Sequence, residues 1–175
     1  LNTTQLAAMT ADQVSALTTA QVVALSTSQV TNISYDQMRA LTTTQIQAVE
    51  VADVRVLNSD QVSALSTTQI QAITTSQVEV LTTQVVANLS NTQVGAMGTD
   101  QVKALTTTQV GVLTAGAVTT LSSAQVVALT DTQLGAFNTT QVQALDVTDV
   151  AALATSQVNA LTTAQVNALT TSQVA

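Results

Sequence analysis

Apolar residues recur every eight positions along the whole chain. Every copy of the unit begins with an apolar residue, from Leu1 to Leu169, and carries a second one at its sixth position, from Leu6 to Val174. The consensus is close to L-T-T-x-Q-V-x-A, with twenty-one complete copies and a twenty-second that lacks its last residue. An unbroken repeat without internal linkers predicts a single repeat solenoid over residues 1–175. Its ordinary first and last copies indicate a segment of a longer array.

The spacing favours one short helix per copy. In a continuous helix, eight residues advance by about 800°, so the apolar stripe would rotate by about 80° with each copy and nothing could bury it continuously. Thr at position two and Gln at position five match the capping box that begins a helix. The clearest pairs are Thr18 with Gln21, Thr42 with Gln45, and Thr162 with Gln165. A β-solenoid is the alternative, although positions one and six would lie on opposite faces of a strand.

On such a helix, position six and position one of the next copy lie three residues apart on the same face. The predicted core therefore includes three pairs: Val22 with Leu25, Val62 with Leu65, and Val166 with Leu169. Helices of about six or seven residues are too short to persist alone in water, so neighbouring copies must stack on one another. The predicted fold is all-α, a solenoid of short capped helices.

Four copies depart from Gln at position five, and they are evenly spaced. They carry Asp53, Val85, Ala117 and Asp149, each 32 residues after the last. This spacing, together with the packing distance of four helices in a square, predicts four copies, or 32 residues, per solenoid turn. The four residues would then share one edge, which is a candidate interaction edge. Ordinary drift between repeat copies explains the same substitutions without a function.

The composition removes most catalytic chemistry. The chain has ten acidic side chains and three basic ones, which are Arg39, Arg55 and Lys103, and it has neither His nor Cys. Imidazole bases, thiolate zinc sites and Ser/His/Asp triads are therefore unavailable, so we expect no enzymatic activity, no catalytic residue and no cofactor. The acidic balance argues against binding of nucleic acid, and the apolar runs are too short for membrane insertion.

Two acidic pairs supply oxygens of the kind that Ca²⁺ prefers. Glu50 with Asp53 and Asp146 with Asp149 are each spaced i, i+3. Two carboxylates make an incomplete shell, so we predict caps or helix-dipole partners at these positions and no metal site.

Regular Thr pairs suggest an ice-binding surface, but position two is already assigned as a helix cap. Ice binding is therefore the third functional hypothesis.

Residues 17–25 read L-T-T-A-Q-V-V-A-L, which resembles the L-T-x-x-Q-V-V-A start of the repeat in transcription-activator-like DNA-binding effectors. The likeness ends there, because those repeats are much longer and carry a base-reading loop, so DNA binding is not carried over. The complete array resembles the L-T-T-x-Q-V-x-A-L octapeptide tracts of very large, exported, adhesin-like bacterial repeat proteins. That resemblance covers all 175 residues. It implies an extracellular or cell-surface structural role without naming a ligand.

The preferred functional hypothesis is a structural, non-catalytic scaffold, which would serve as a spacer, stalk or filament subunit of an exported or cell-surface protein. Its expected partners are further copies, through end-to-end self-association or continuation of the same array, because exposed apolar residues at the ends invite stacking. The alternative is an adhesin-type module that recognises a protein or glycan through the edge around Asp53, Val85, Ala117 and Asp149.

Overall fold

The computed structural model describes residues 1–174, and the regular secondary structure in that range is entirely helical. Twenty-one short helices lie there, one in each of the first twenty-one copies, and no residue of the range belongs to a strand. The predicted all-α fold is therefore confirmed, and the β-solenoid alternative is wrong. The helix is favoured because each copy carries its own start signal within eight residues, whereas a strand must find a separate pairing partner.

Each helix begins after a residue of extended conformation at position two of its copy. Thr42 has φ −72° and ψ 160°. Its Oγ1 accepts from the backbone N–H of Gln45 at 3.2 Å, and its own N–H donates to Gln45 Oε1 at 2.8 Å. The same reciprocal capping box forms in the two other pairs singled out from the sequence, Thr18–Gln21 and Thr162–Gln165. Each copy therefore sets the beginning of its own helix.

The chain divides into two compact units. The first unit is Leu1–Leu89. Within it, each helix packs against the helix that comes three later along the chain. Its helices are α1 (Thr3–Ala7), α2 (Ala11–Ser15), α3 (Thr19–Val23), α4 (Thr27–Val30), α5 (Tyr35–Ala40), α6 (Thr43–Ala48), α7 (Val51–Val54), α8 (Ser59–Ser63), α9 (Thr67–Ala72), α10 (Thr75–Val80) and α11 (Thr83–Ala87).

The second unit is Ser90–Ala175, described to Val174. It repeats the same internal arrangement, with α12 packed against α15 and α18 against α21. Its helices are α12 (Asn91–Gly95), α13 (Thr99–Ala104), α14 (Thr107–Gly111), α15 (Ala115–Val118), α16 (Ser123–Ala128), α17 (Asp131–Gly135), α18 (Thr139–Ala144), α19 (Val147–Ala152), α20 (Thr155–Ala160) and α21 (Thr163–Ala168).

The contacts between turns correct the predicted number of copies per turn. In the first unit, Gln29 is the first glutamine to reach an earlier turn, and its Nε2 donates to the carbonyl of Leu1 at 2.6 Å, 28 residues away. Gln37 reaches Leu6, 31 residues away, while helices stack on neighbours three copies away. A turn therefore contains between three and four copies, fewer than the four that the 32-residue spacing predicted. Each helix lies over the helix three copies earlier and over the connection that leads into that earlier helix. The number of copies in one solenoid turn is therefore not a whole number.

Positions one and six fill the interior of each unit. In the first unit, Val62 is 1% exposed and Leu65 is 4% exposed, as the pattern predicts, and Val22 is also buried. Leu25 and Leu169 are only half-buried. Val166, which we expected in the core, is 48% exposed. The reason for these departures is position in the stack: within residues 1–174, the first and last turns have a neighbouring turn on one side only.

Candidate functional site

The glutamine at position five holds together both its own helix and the stack. In the second unit, Gln141 is 1% exposed. Its Oε1 accepts from the backbone N–H of Asn138 at 2.8 Å, which completes the cap of α18. Its Nε2 donates to the carbonyls of Val110 and Leu113, both at 2.8 Å, in the turn below. One side chain thus forms a local cap and a link between turns.

The same link recurs through each unit, always from a buried glutamine to carbonyls 28 to 31 residues earlier. Glutamine alone supplies the required groups, because its amide has both an acceptor for the cap and two N–H donors for the carbonyls. Glutamate lacks the donors, and asparagine is shorter by one methylene. In the first unit the linking residues are Gln29, Gln37, Gln45, Gln61, Gln69 and Gln77, and in the second they are Gln125, Gln133, Gln141, Gln157, Gln165 and Gln173.

Sequence reasoning found the cap but missed this link. It assigned the glutamine at position five to the helix cap alone, whereas these side chains lie in the interior and also bond to the earlier turn. A signal was present: position five is Gln in eighteen of twenty-two copies, while positions four and seven accept many residue types. An exposed cap partner can be replaced by Glu, so a strict requirement for Gln indicates that the amide donors are used as well.

The four copies without Gln do not form an exposed edge. Asp53, Val85, Ala117 and Asp149 have exposures of 5%, 2%, 1% and 2%. Their side chains occupy the interior positions that Gln fills in other copies. A ligand on the surface cannot contact them in this structure, so their burial corrects the expectation of an interaction edge at these positions.

Two of the exceptional copies regain a hydrogen bond between turns from a different residue. In the copy that carries Ala117, Thr120 Oγ1 donates to the carbonyl of Asn91 at 2.9 Å. In the copy that carries Asp149, the direction is reversed, since Ser123 Oγ donates to Asp149 Oδ1 at 2.8 Å. The replacements are therefore compatible with the stack because nearby hydroxyl groups restore part of the missing link.

Asp53 has no such compensation. Burial raises the pKa of its carboxyl group, and the nearby charge of Glu50 raises it further. Glu50 stands at the N-cap of α7, and its side chain makes no cap hydrogen bond. Its side chain is 5% exposed, and partial removal of a carboxylate from water without a compensating hydrogen bond is costly. The copy around Asp53 is consequently a weak point of the first unit.

Replacing Asp53 by Gln should stabilise the chain by about 1–2 kcal/mol near neutral pH, because the amide restores the cap and the link. The folded pKa of Asp53 is raised, so its contribution to the free energy of unfolding grows as the pH falls through that pKa towards the ordinary value of about 3.9. The advantage of Asp53→Gln should therefore shrink on acidification, as measured by urea denaturation near pH 7 and near pH 4.

Asp149→Gln is the matched control. Its carboxylate already accepts a hydrogen bond from Ser123, so the same substitution should give a smaller gain. An advantage of Asp53→Gln that does not change between the two pH values would contradict the assignment of Asp53 as a destabilising buried charge.

Of the two acidic pairs, Asp146 with Asp149 forms a local helix cap, whereas the side chain of Glu50 makes no cap hydrogen bond. Asp146 Oδ1 accepts from the N–H of Asp149 at 2.7 Å and from Thr148 Oγ1 at 2.7 Å. These bonds lower the pKa of Asp146. Within residues 1–174 no three or more His, Cys, Asp or Glu side chains are grouped as they would be around a metal ion.

A surface groove of about 430 Å³ in the second unit was not predicted from the sequence. Its lining includes Asp100, Lys103, Asp131 and Ser156, which come from three copies and are exposed. Ser156 Oγ donates to Asp131 Oδ1 at 3.2 Å. The groove is open, and two of its polar groups already bond to each other, so it offers a ligand little preorganised contact.

Comparison with protein families identifies the repeat. The model of the ALTTAQ repeat matches residues 1–27, 46–83, 84–115 and 142–175, which together make up most of the chain. The chain belongs to the ALTTAQ repeat family. The six letters of the ALTTAQ repeat occur verbatim at residues 16–21 and 160–165. A comparison with curated proteins finds no match.

Three residues of the ALTTAQ repeat have a clear role in the structure: the leucine, the first threonine and the glutamine. The leucine is the core residue at position one, the first threonine is the N-cap, and the glutamine joins the cap to the earlier turn, as Leu161, Thr162 and Gln165 illustrate. Leu161 itself is half-buried because it lies in the last turn described. None of the ALTTAQ helices within residues 1–174 has the length and apolar character of a membrane span.

Proposed function

We propose that this ALTTAQ array is a structural, non-catalytic scaffold: a spacer, stalk or filament subunit of an exported or cell-surface protein. The observation that carries the proposal is the recurrence of the same buried glutamine link between successive turns in both units. A link repeated at each turn allows length to be changed by adding copies without redesigning the core. All-helical tandem repeats of this kind are typical of structural repeat proteins.

The distribution of sequence variation supports the same role. Position four is charged in some copies and neutral in others, and Asp12, Asp60, Asp100 and Ala124 are all exposed there. Position five, which contacts the neighbouring turn, is kept as Gln in most copies. The chain therefore restricts the residues that join turns more strongly than the residues that a ligand would meet. An extracellular location follows from the resemblance to exported octapeptide tracts and belongs to the proposal.

The two other functional hypotheses have less support. The edge proposed for an adhesin-type module is buried at all four positions. An ice-binding surface would need an even array of free hydroxyl groups, yet Thr42 Oγ1 and its equivalents accept the N–H groups of helix caps. We therefore favour the scaffold.

The test of the scaffold is whether added copies add length. Because the chain has no Cys, dyes can be attached in the first unit through Thr4→Cys and Ser76→Cys, both at exposed positions. Residues 41–72 are then duplicated between the labels. Single-molecule energy transfer should show one narrow distribution of the distance between the two dyes in each protein. The mean distance should be longer by about 10 Å in the duplicated protein, since adjacent helix layers pack about 8–10 Å apart.

A flexible Gly/Ser segment of equal length, inserted at the same place, is the control and should broaden the distance distribution. Unfolding on duplication, or an unchanged distance, would contradict a spacer. The experiment uses picomolar protein, so self-association does not affect it.

A further inference from the structure

A small cavity lies inside the first unit and is lined almost entirely by apolar side chains. Its volume is about 30 Å³, and its wall includes Met38, Ile46 and Val62, which are 2%, 4% and 1% exposed. The lining residues all lie between positions 30 and 81, so the cavity belongs wholly to the unit Leu1–Leu89. The cavity is therefore part of the core of that unit.

The cavity coincides with two consecutive copies that carry the smaller apolar residue at position six. These residues are Val54 and Val62, whereas the copy before them has Ile46 and the copy after them has Ile70. Valine is one methylene group smaller than isoleucine, and a stack joined by glutamine links cannot close fully around the missing groups. The wall of such a void lacks dispersion contacts that a guest molecule would restore.

The wall offers a guest no hydrogen-bonding side chain. Gln77 is the one polar residue of the lining within residues 1–174. Its Oε1 accepts from the backbone N–H of Thr74 at 2.8 Å, and its Nε2 donates to the carbonyls of Ile46 and Val49 at 2.9 and 2.6 Å. A buried water needs about two to four polar partners, so an apolar cavity of this kind stays dry. A polar or charged guest would lose its hydrogen bonds to water without replacement.

Copy seven, residues 49–56, is the least firmly held part of the wall. Its helix α7 is four residues long, and the side chain of its N-cap, Glu50, makes no cap hydrogen bond. Asp53 cannot donate the link that Gln45 and Gln61 form in the copies on either side. A segment with fewer bonds to its surroundings opens locally at a lower free energy. Copy seven is consequently where the wall opens most readily.

The cavity also comes nearest to solvent at this copy. Val49 and Leu57, the lining residues on either side of α7, are half-buried, whereas Val54 between them is 5% exposed. Val51 and Val56 in the same copy are each 39% exposed. The outer surface of copy seven is therefore apolar as well, and an apolar guest can rest there before it enters.

We propose that this cavity is a binding site for one small, uncharged apolar molecule of the class of light hydrocarbons, and that the molecule enters through copy seven. The apolar wall supplies the contacts, and the amide of Gln77 is fully used, so a polar guest is rejected. The missing cap and link of α7 permit entry. This site goes beyond the scaffold role and does not depend on it, because a spacer needs no guest.

Xenon is the probe of the site, because it is uncharged and makes no hydrogen bond. Methyl NMR spectra of the 175-residue chain are recorded at increasing xenon pressure. The methyl resonances of Ile33, Ile46 and Ile73, which line the cavity, should shift until they saturate. Those of Leu134 and Val142, which are buried in the second unit, should show no saturable shift. Lining resonances without a saturable shift would overturn the proposal.

Filling the cavity tests its location. Val54→Ile with Val62→Ile adds two methylene groups to the wall, in the residue type that both neighbouring copies carry at position six. The affinity for xenon should fall by at least about 10-fold. Val14→Ile with Val22→Ile makes the same change at position six of copies that do not line the cavity, so this control should bind xenon as the parent does. Circular dichroism verifies that both variants fold, and equal affinities would overturn the assignment of the site.

Asp53→Gln tests the entry path. It restores the cap and the link of copy seven without altering a lining residue, so the affinity for xenon should stay the same. The rate of exchange between free and bound xenon, measured by saturation transfer, should fall by about 5- to 30-fold, because local opening becomes less favourable. Asp149→Gln makes the same substitution in the second unit and should leave the rate unchanged.

Exchange that is as fast in Asp53→Gln as in the parent would overturn entry through copy seven. None of the xenon measurements bears on the distance between dyes in the duplicated protein. The failure of this proposal and the failure of the scaffold proposal are therefore distinguishable.

Discussion

Gln141→Ala is expected to lower the free energy of unfolding by about 3–4 kcal/mol, measured by urea denaturation followed by circular dichroism. The substitution removes three hydrogen bonds at once: the one that Gln141 accepts from Asn138 and the two that it donates to Val110 and Leu113. Each bond contributes about 1 kcal/mol, and the removed side-chain atoms leave a cavity beside carbonyls that water does not reach.

Gln21→Ala is the matched control, because Gln21 forms the same capping box but is exposed and makes no link to an earlier turn. Its cost should be that of a cap alone, about 1 kcal/mol. The difference between the two variants measures the link between turns. Equal losses would show that the link adds no stability and that the glutamines act only as caps.

Val142→Ala should lower the free energy of unfolding by about 2–3 kcal/mol. Val142 has no exposed surface, and it occupies position six of its copy in the interior of the second unit. The substitution removes two methyl groups from a closely packed core, and a rigid stack cannot collapse fully into the space. Thermal denaturation in dilute solution gives the comparison most directly.

Val166→Ala makes the same chemical change at the same position of a later copy, where the side chain is 48% exposed. We expect a loss below about 1 kcal/mol, provided that the protein concentration is kept below the range of self-association. A loss as large as that of Val142→Ala would mean that another part of the chain covers Val166 in solution.

The local structure of this chain could be predicted from sequence because its determinants lie within one copy. Thr42 and Gln45 are three residues apart, and that spacing alone specifies the capping box and the start of α6. Val62 and Leu65 are likewise three apart, so their common burial follows from helix geometry. Where the determinants are local, the all-α fold and most of the core were predicted correctly.

The links between turns could not be predicted in this way, because they depend on how many copies make a turn. Gln141 reaches residues 28 and 31 positions earlier, and no pattern within eight residues specifies that distance. The 32-residue spacing of the exceptional copies suggested a whole number of copies per turn, but stacking over the connections gives a smaller repeat. The exceptional residues were also assigned to the surface, although Asp149 is buried and bonded to Ser123 from another copy.

The linking amides point in one direction along the chain, and this has a consequence for synthesis. Each linking glutamine donates to carbonyls that precede it by 28 to 31 residues, so its acceptors have left the ribosome before it does. After the first turn, each new turn therefore emerges when the carbonyls to which its glutamines donate have already been made. Chains of many copies can consequently fold from the N-terminus as they are made, in the order in which domains generally fold during translation.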